Sequence, residues 1–360
     1  MKTNYREFQF TLLALAPIHI GSGEKYTSRE YIYENGHFYF PDMSKFYNRM
    51  VEKGYAQNFE QFLQNKSENS NNHLISFLND NRICNRDFGG YCIRETGLET
   101  EKNDYDIDIK AGEINGVAKF IRDPFGKPYI PGSSLKGAIR TILMNTNPAW
   151  NNNDAIDDTG GFEKENTRLI PWGPDRGKKF DDLFNEIRVS DSKPLRNSSL
   201  ILVQKWDYSA KSSTVKSLPV YRESLAPLTH ISFTITTTSD RAGGFIEELG
   251  TRAQEFYNAY KEFFLVDFPE EMIQNNIYYP IYLGAGSGAW TKTLFKQACG
   301  ILQKQYCFKS LKMEGKGVLK LTKATIIDKI QVEFSNELIK NKEFFYEMGK
   351  ANFIIKEITN

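Results

Sequence analysis

YIPGSSLKGAIRTIL (residues 129–143) and YLGAGSGAWTKTLFK (residues 282–296) follow one scheme, and that scheme decides the fold. Each stretch begins as a strand, passes through a turn of small residues and continues with helical spacing. After the first turn, Leu135, Ala138, Ile139, Ile142 and Leu143 fall on one helical face, leaving Lys136 and Arg140 four apart on another. After the second, Trp290, Leu294, Ala298, Ile301 and Leu302 form the apolar stripe, and Lys292 and Lys296 are again four apart. Two strand–turn–helix units with matching basic pairs read as an internal duplication. Strands and helices elsewhere are mixed without a βαβα rhythm, which points to α+β rather than a doubly wound parallel sheet.

The rest of the chain supports two domains. FQFTLLALAPIHIGSGE reads as a strand stopped at Pro17 and opened into a glycine turn at Gly21–Gly23. REYIYENGHFYF is a hairpin about Asn35-Gly36, followed by a helix in MSKFYNRMVEKG capped by Asp42 or Ser44. LISFLND is a short helix, GFIEELGTRAQEFYNAYKEFF one long amphipathic helix, and LILVQKWDY, HISFTITTT and NFIIKEI are strands. The polar runs NKSENSNNH and NTNPAWNNNDAIDDTGGFEKEN read as inserted loops. The predicted division is 1–225 and 226–360, with insertions at about 45–115 and 146–180.

At 360 residues, 40% hydrophobic and 25% charged, the chain has enough apolar material for two cores and none of the signature of disorder. No run approaches the roughly 20 apolar residues of a membrane span, and no signal core opens the chain, so a cytoplasmic protein without membrane partners is expected. The four cysteines, Cys84, Cys92, Cys299 and Cys307, lack zinc-ligand spacing, so reduced thiols and no bound metal or cofactor are expected. Net charge is +1, yet Gly288–Lys323 holds eight lysines against Glu314 alone, a local +7. Glu247–Glu271 holds seven acids against Arg252 and Lys261, a local −5. The basic block suits a phosphate-facing surface, or else an ordinary solvated lysine face.

The chemistry of the small-residue turns is anion binding. Glycine lets backbone approach closely, and a helix N-terminus presents unpaired N–H groups and a positive dipole end. The nucleotide form of that chemistry fails at one position: GSGAWTKT (286–293) matches a P-loop except that Thr291 replaces the glycine before Lys292. Trp290 would crowd the cradle as well. His19, beside the first glycine turn, is the one candidate general acid or base for metal-independent RNA cleavage, against the plainer reading of a packed histidine.

Four ordered motifs, LAPIHIGSGEKYTSREYIYENGHFYFPD, YIPGSSLKGAIRTIL, LIPWGPDRGKKFDDLFNEIRVSDS and YLGAGSGAWTKTLF, resemble the fifth-subunit family of type III-A (Csm) CRISPR effector complexes, a branch of the RAMP superfamily. The resemblance runs from residue 5 to MGKANFIIKEI. It implies two ferredoxin-like, RRM-like domains with inserted helical and loop segments. It also implies a non-catalytic subunit that binds CRISPR RNA, caps the 3′-end side of the complex beside the backbone and small subunits, and is needed for 3′ maturation by host nucleases. The family's RNA-facing loops fall on Gly21, Ser22 and Gly23, on Gly132, Ser133, Ser134 and Lys136, and on Gly284, Gly286, Ser287, Gly288, Trp290 and Lys292. Lys136, Arg140, Lys292 and Lys296 are candidate phosphate contacts from the helix spacing alone. The RRM stacking signature is absent, which suits backbone gripping, while Trp172 and Trp290 are either stacking or core residues. A metal-independent, RNA-processing endoribonuclease built on His19 is the alternative.

Overall fold

A computed structural model describes residues 5–65, 73–84, 87–98, 114, 116–146, 183–288, 290–292, 317–325 and 343–358. Its elements, in chain order, are β1 (Arg6–Ala14), β2 (Gly21–Tyr26), β3 (Ile32–Glu34), β4 (His37–Phe40), α1 (Met43–Glu52), α2 (Ala56–Gln64), α3 (Leu74–Asp80), β5 (Tyr91–Thr96), β6 (Val117–Phe120) and α4 (Gly132–Asn145). Then follow β7 (Ile187–Val189), β8 (Leu200–Ser209), β9 (Thr214–Leu225), β10 (His230–Thr237), α5 (Asp240–Glu247), α6 (Leu249–Phe263), β11 (Tyr279–Tyr282), β12 (Val318–Thr325), β13 (Glu343–Glu347) and β14 (Lys350–Glu357). The class is α+β, as the sequence predicts. Among the described residues no helix is long and apolar enough to cross a membrane.

The described strands form two sheets. The first has the order β11-β14-β1-β10-β7 and is antiparallel throughout. Its central strand β1 alternates as a half-buried strand should, with Phe8, Phe10, Leu12 and Ala14 inward. The second runs β2-β6-β9-β8, and the far edge of β8 is shared. Arg94–Thr96 of β5 pair parallel with Ile201–Val203, while β12 pairs antiparallel with Lys205–Ser209. Each sheet takes strands from both sides of residue 225.

Local readings of the sequence divide cleanly. Asn35 and Gly36 adopt positive φ (51° and 73°) in the β3–β4 hairpin, and the Asp42 side chain accepts from Ser44 and Lys45 N–H at the start of α1. Leu135, Ile139, Ile142 and Leu143 are the buried stripe of α4. Two expectations are corrected. Gly21–Gly23 is not a turn but the start of edge strand β2, because β6 supplies a partner from Gly21↔Phe120 to Tyr26↔Val117, with a bulge between. The long helix expected over 244–264 is two helices, α5 and α6: Ser239 caps α5, which ends at Glu247, and after Glu248 the chain restarts as α6 at Leu249.

Three of the chain's passages between the sheets meet at one junction. The segment after β1 carries it to β2, β9 leads back to β10, and β13 turns at Met348–Gly349 into β14. Backbone bonds tie these crossings together: Leu15 and Ala16 N–H to Lys350 O (both 3.1 Å), Gly349 N–H to Pro17 O (3.0 Å), Leu283 N–H to Gly349 O (2.9 Å) and Ile18 with Leu225 in both directions. A buried ion pair locks the turn, with Lys350 Nζ 2.7 Å from Glu347 Oε1 and Tyr282 Oη donating to Glu347 Oε2 at 2.7 Å. Burial pushes the Lys350 ammonium down and the Tyr282 hydroxyl up from their ordinary values.

Candidate nucleic-acid interface

The third glycine turn rests on this junction. Gly284, Gly286 and Gly288 have φ of 78°, 97° and 88°, a region that side-chain-bearing residues rarely adopt. A Cβ on Gly284 would overlap the His19 carbonyl oxygen, and Ala285 N–H donates to that same oxygen at 2.9 Å. On Gly286 it would sit 2.5 Å from Arg222 Nη1 and 2.6 Å from Met348 Sδ. Trp290–Lys292 form a 3-10 turn, and Thr291 Oγ1 lies 3.1 Å from the carbonyls of Ser287 and Gly288. The Lys292 ammonium returns to Gly284 O at 2.7 Å. This is a compact turn closed by its own side chains, with Lys292 exposed on its rim.

Beside the turn lies a cation cluster on one face of the second sheet. Register pairs Lys320 with Asp207, Asp207 with Lys216, Thr322 with Lys205 and Val203 with Arg222, so Lys205, Asp207, Lys216, Arg222 and Lys320 share that face. Asp207 holds Lys320 at 2.9 Å and Lys205 at 3.5 Å. Arg222 reaches only Ala285 O (3.4 Å) and Met348 Sδ (3.3 Å), with no carboxylate in ion-pair range among the described residues. With Lys292, five cations face one acid. Burial lowers the pKa of Lys205, Arg222 and Lys292; Lys320 and Arg222 add to the effect on Lys205, and Arg222 to that on Lys292. Partly desolvated, under-compensated positive charge is what an anion relieves. The rings of Trp206, Tyr208 and Tyr221 take the opposite face of β8 and β9, so here these strands offer charge rather than stacking surface.

Beneath the face, β9 is fixed by a buried carboxylate. Glu223, fully buried, accepts from Tyr91 Oη (2.5 Å), Phe120 N–H (2.8 Å) and Arg122 Nη2 (3.2 Å). Burial first, and the Glu223 charge next, push the Tyr91 hydroxyl far up. The Glu223 carbonyl lies 2.6 Å from His19 Nδ1. His19 is 3% exposed, and its Nε2 would lie 2.9 Å from a Cβ on Gly21. Burial lowers its pKa to about 4, with Arg222 adding to the effect and the Glu223 carbonyl opposing it. At neutral pH the ring is uncharged, held and covered. That geometry favours the packed histidine over the general acid or base.

The predicted site residues therefore separate. The segment that leads into β2 meets the third turn through His19 O and Ala285 N–H; Gly21, Ser22 and Gly23 are exposed along β2, with Ser22 Oγ accepting from Glu24 N–H at 3.2 Å. The second turn is spent on the fold. A Cβ on Gly132 would overlap Val189 O, and its N–H donates to Asp191 Oδ1 at 2.8 Å. Ser133 is exposed and Ser134 N–H bonds Pro131 O (2.9 Å). The Lys136 ammonium donates to Phe184 O and Ile187 O at 2.6 and 2.7 Å, and Arg140 lies over the Phe184 ring at 5.6 Å. The expected phosphate role for Lys136 thus meets a structural one, because β7 and the turn before it supply the carbonyls. Lys296 and Trp172 lie outside the described residues. The sequence reading missed Lys205, Lys216 and Arg222, whose common face is set by cross-strand register; Lys320 belonged to the basic block.

A family model described as the RAMP superfamily matches residues 11–355. Over 360 residues, covering 99% of both chains, the sequence is 67% identical to the CRISPR system Cms protein Csm5 of Streptococcus thermophilus. The chain belongs to the Csm5 family of the RAMP superfamily. A Csm5 of Mycobacterium tuberculosis (strain CDC 1551 / Oshkosh) is 31% identical over 321 residues, with 81% of this chain and 84% of that one covered. Among solved structures, a chain of the cryo-EM Csm–crRNA–target RNA ternary complex of a type III-A CRISPR–Cas system superposes with TM-score 0.62 at 19% identity, covering 96% of this chain and all of that one. The crystal structure of T. onnurineus Csm5 gives TM-score 0.59 at 17% identity over 95% and 99% of the two chains. The two curled sheets with flanking helices are the Csm5 fold, built from two ferredoxin-like units.

Proposed function

We propose that this chain is the RNA-gripping, non-catalytic subunit that caps the 3′-end side of a type III-A Csm complex and is needed for maturation of the CRISPR RNA 3′ end. The observation that carries the reading is the cation face of Lys205, Lys216, Arg222 and Lys320 around Asp207, with Lys292 next to Arg222 at its edge. Phosphates of a guide strand supply the missing negative charge without reading its sequence. Strand β2, next to β9 across β6, and the third turn at Arg222 border the face, and neighbouring backbone and small subunits adjoin the chain in the complex. Cleavage belongs to other components, host nucleases among them, a division supported by the burial of His19.

Counterion release gives the test. Five phosphate contacts to a single strand correspond to a log–log salt slope on the order of −3.5, and each lost contact lowers it by about 0.7. Lys205→Glu with Lys216→Glu should flatten the slope by at least ~1.4 and shorten or deplete the guide that co-purifies with the assembled complex. Wild-type slope and normal guide length in that variant would remove the assignment.

A further inference from the structure

The turn between β6 and α4 carries a residue that the cation face leaves unused. Phe125 is 88% exposed, more than any other large apolar side chain among the described residues. The turn that holds it out is tightly bonded. The Asp123 carboxylate accepts from Phe125 N–H (2.9 Å) and Lys127 N–H (2.8 Å), Asp123 N–H donates to Lys127 O (2.9 Å), and Gly126 N–H to Asp123 O (2.9 Å). Gly126 takes the left-handed conformation the turn requires, at φ 76°. Arg122 Nη1 donates to Gly126 O at 3.0 Å and to Asn197 Oδ1 at 2.5 Å, and Leu195 N–H reaches Pro128 O at 2.8 Å. The ring is presented by a preorganised support, so a partner that covers it has little chain left to order.

The surroundings name the partner. Lys127 on the same turn, and Arg196 in the segment bonded to it, are exposed and without ion-pair partners among the described residues. Lys193 is a third exposed cation on that segment. The nearby acids are occupied: Asp123 by the two N–H groups of its own turn, Asp191 by Gly132 N–H. A protein socket for an aromatic knob is characteristically depleted in lysine at its centre, whereas single-stranded nucleic-acid sites combine free cations with a ring. We infer that Phe125 is a stacking platform for one base of a single-stranded RNA, with Lys127 and Arg196 on the adjoining phosphates. A phenyl ring has no hydrogen-bonding edge, so the contact tolerates any base. This second contact rests on the reading that the chain binds RNA, but it shares no residue with the cation face.

The full-length chain is titrated at low salt with a single-stranded RNA dodecamer carrying 2-aminopurine at alternate positions. Binding to the parent should quench the fluorescence. Phe125→Leu should weaken binding about tenfold and abolish the quench while keeping the salt slope; Phe125→Trp should retain both. Lys205→Glu should do the converse, lowering affinity and slope but leaving the quench of the bound RNA. A parent-like Phe125→Leu overturns the stacking contact alone, and would be the result if Phe125 docks a protein subunit instead. A parent chain that binds no RNA overturns both this contact and the cation-face reading.

Discussion

His19 shows how little a side chain's neighbours in sequence say about its chemistry. Standing before Gly21-Ser22-Gly23, it has the profile of a catalytic histidine on a loop. The carbonyl that fixes its ring belongs to Glu223, more than two hundred residues away, and that distance is invisible to any local pattern. Lys136 is the same case: helical spacing correctly keeps it off the apolar stripe, but its acceptors lie on Phe184 and Ile187. The buried state of His19 has a consequence for stability. The folded ring takes up a proton only near pH 4, whereas the unfolded one does so near its ordinary 6.5. Between those values the unfolded chain binds more protons, so stability is fully present above about pH 6.5 and falls as the pH drops toward 4. The interval is worth about 3 kcal/mol. Urea midpoints at pH 7.5 and 4.5 should therefore differ more for the parent than for His19→Gln, and an equal difference in the two would rule out the neutral buried ring.

At the scale of elements, hairpin β3–β4, the cap of α1 and the buried stripe of α4 were legible, because each is written in residues within a few positions of one another. Strand β2 was not, since three of its first four residues are glycine or serine and its conformation comes from pairing with β6. The cation face was half legible. Lysine density marked the basic block that contains Lys292 and Lys320, but Lys205, Lys216 and Arg222 join it only through strand register. The glycines of β2 and of the third turn answer to two separate demands, conformation and space, and substitution tells them apart. Gly23 has φ 90° with nothing within 4 Å of an added Cβ, so Gly23→Ala should cost about 1–2 kcal/mol of backbone strain alone. Gly284 has φ 78° and no room for a Cβ against the His19 carbonyl. Gly284→Ala should pay that strain plus the displacement of the turn from the junction, giving a clearly lower urea midpoint than Gly23→Ala. Equal midpoints would mean that the turn is not seated on residues 19–20.

For the whole molecule the decisive feature is that neither sheet is contiguous in sequence. Strand β1, from the start of the chain, lies between β10 and β14, from its second half, and β12 completes the edge of β8. The sequence suggested two similar strand–turn–helix units, but Tyr129–Pro131 form no strand and the helix expected after Lys292 lies outside the described residues. Repeated local patterns also carry no information about which strands pair with which. The energetic meaning is direct. Removing residues 226–360 takes from β1 both of its neighbours, leaving Phe8, Phe10 and Leu12 without the sheet that buries them, since Phe10 stacks on Phe353 with ring centroids 4.8 Å apart. Removing residues 1–225 separates β10 from β14 and strips β12 of β8. Fragments 1–225 and 226–360 expressed singly should thus lack cooperative unfolding transitions and show unprotected amides in β1, β10 and β14 by hydrogen exchange. Co-expressed, they should co-purify and recover one transition, because the breakpoint at Leu225–Ala226 leaves every strand pairing intact. A single fragment that unfolds cooperatively, with β10 or β1 protected, would show that one sheet closes without the other half of the chain.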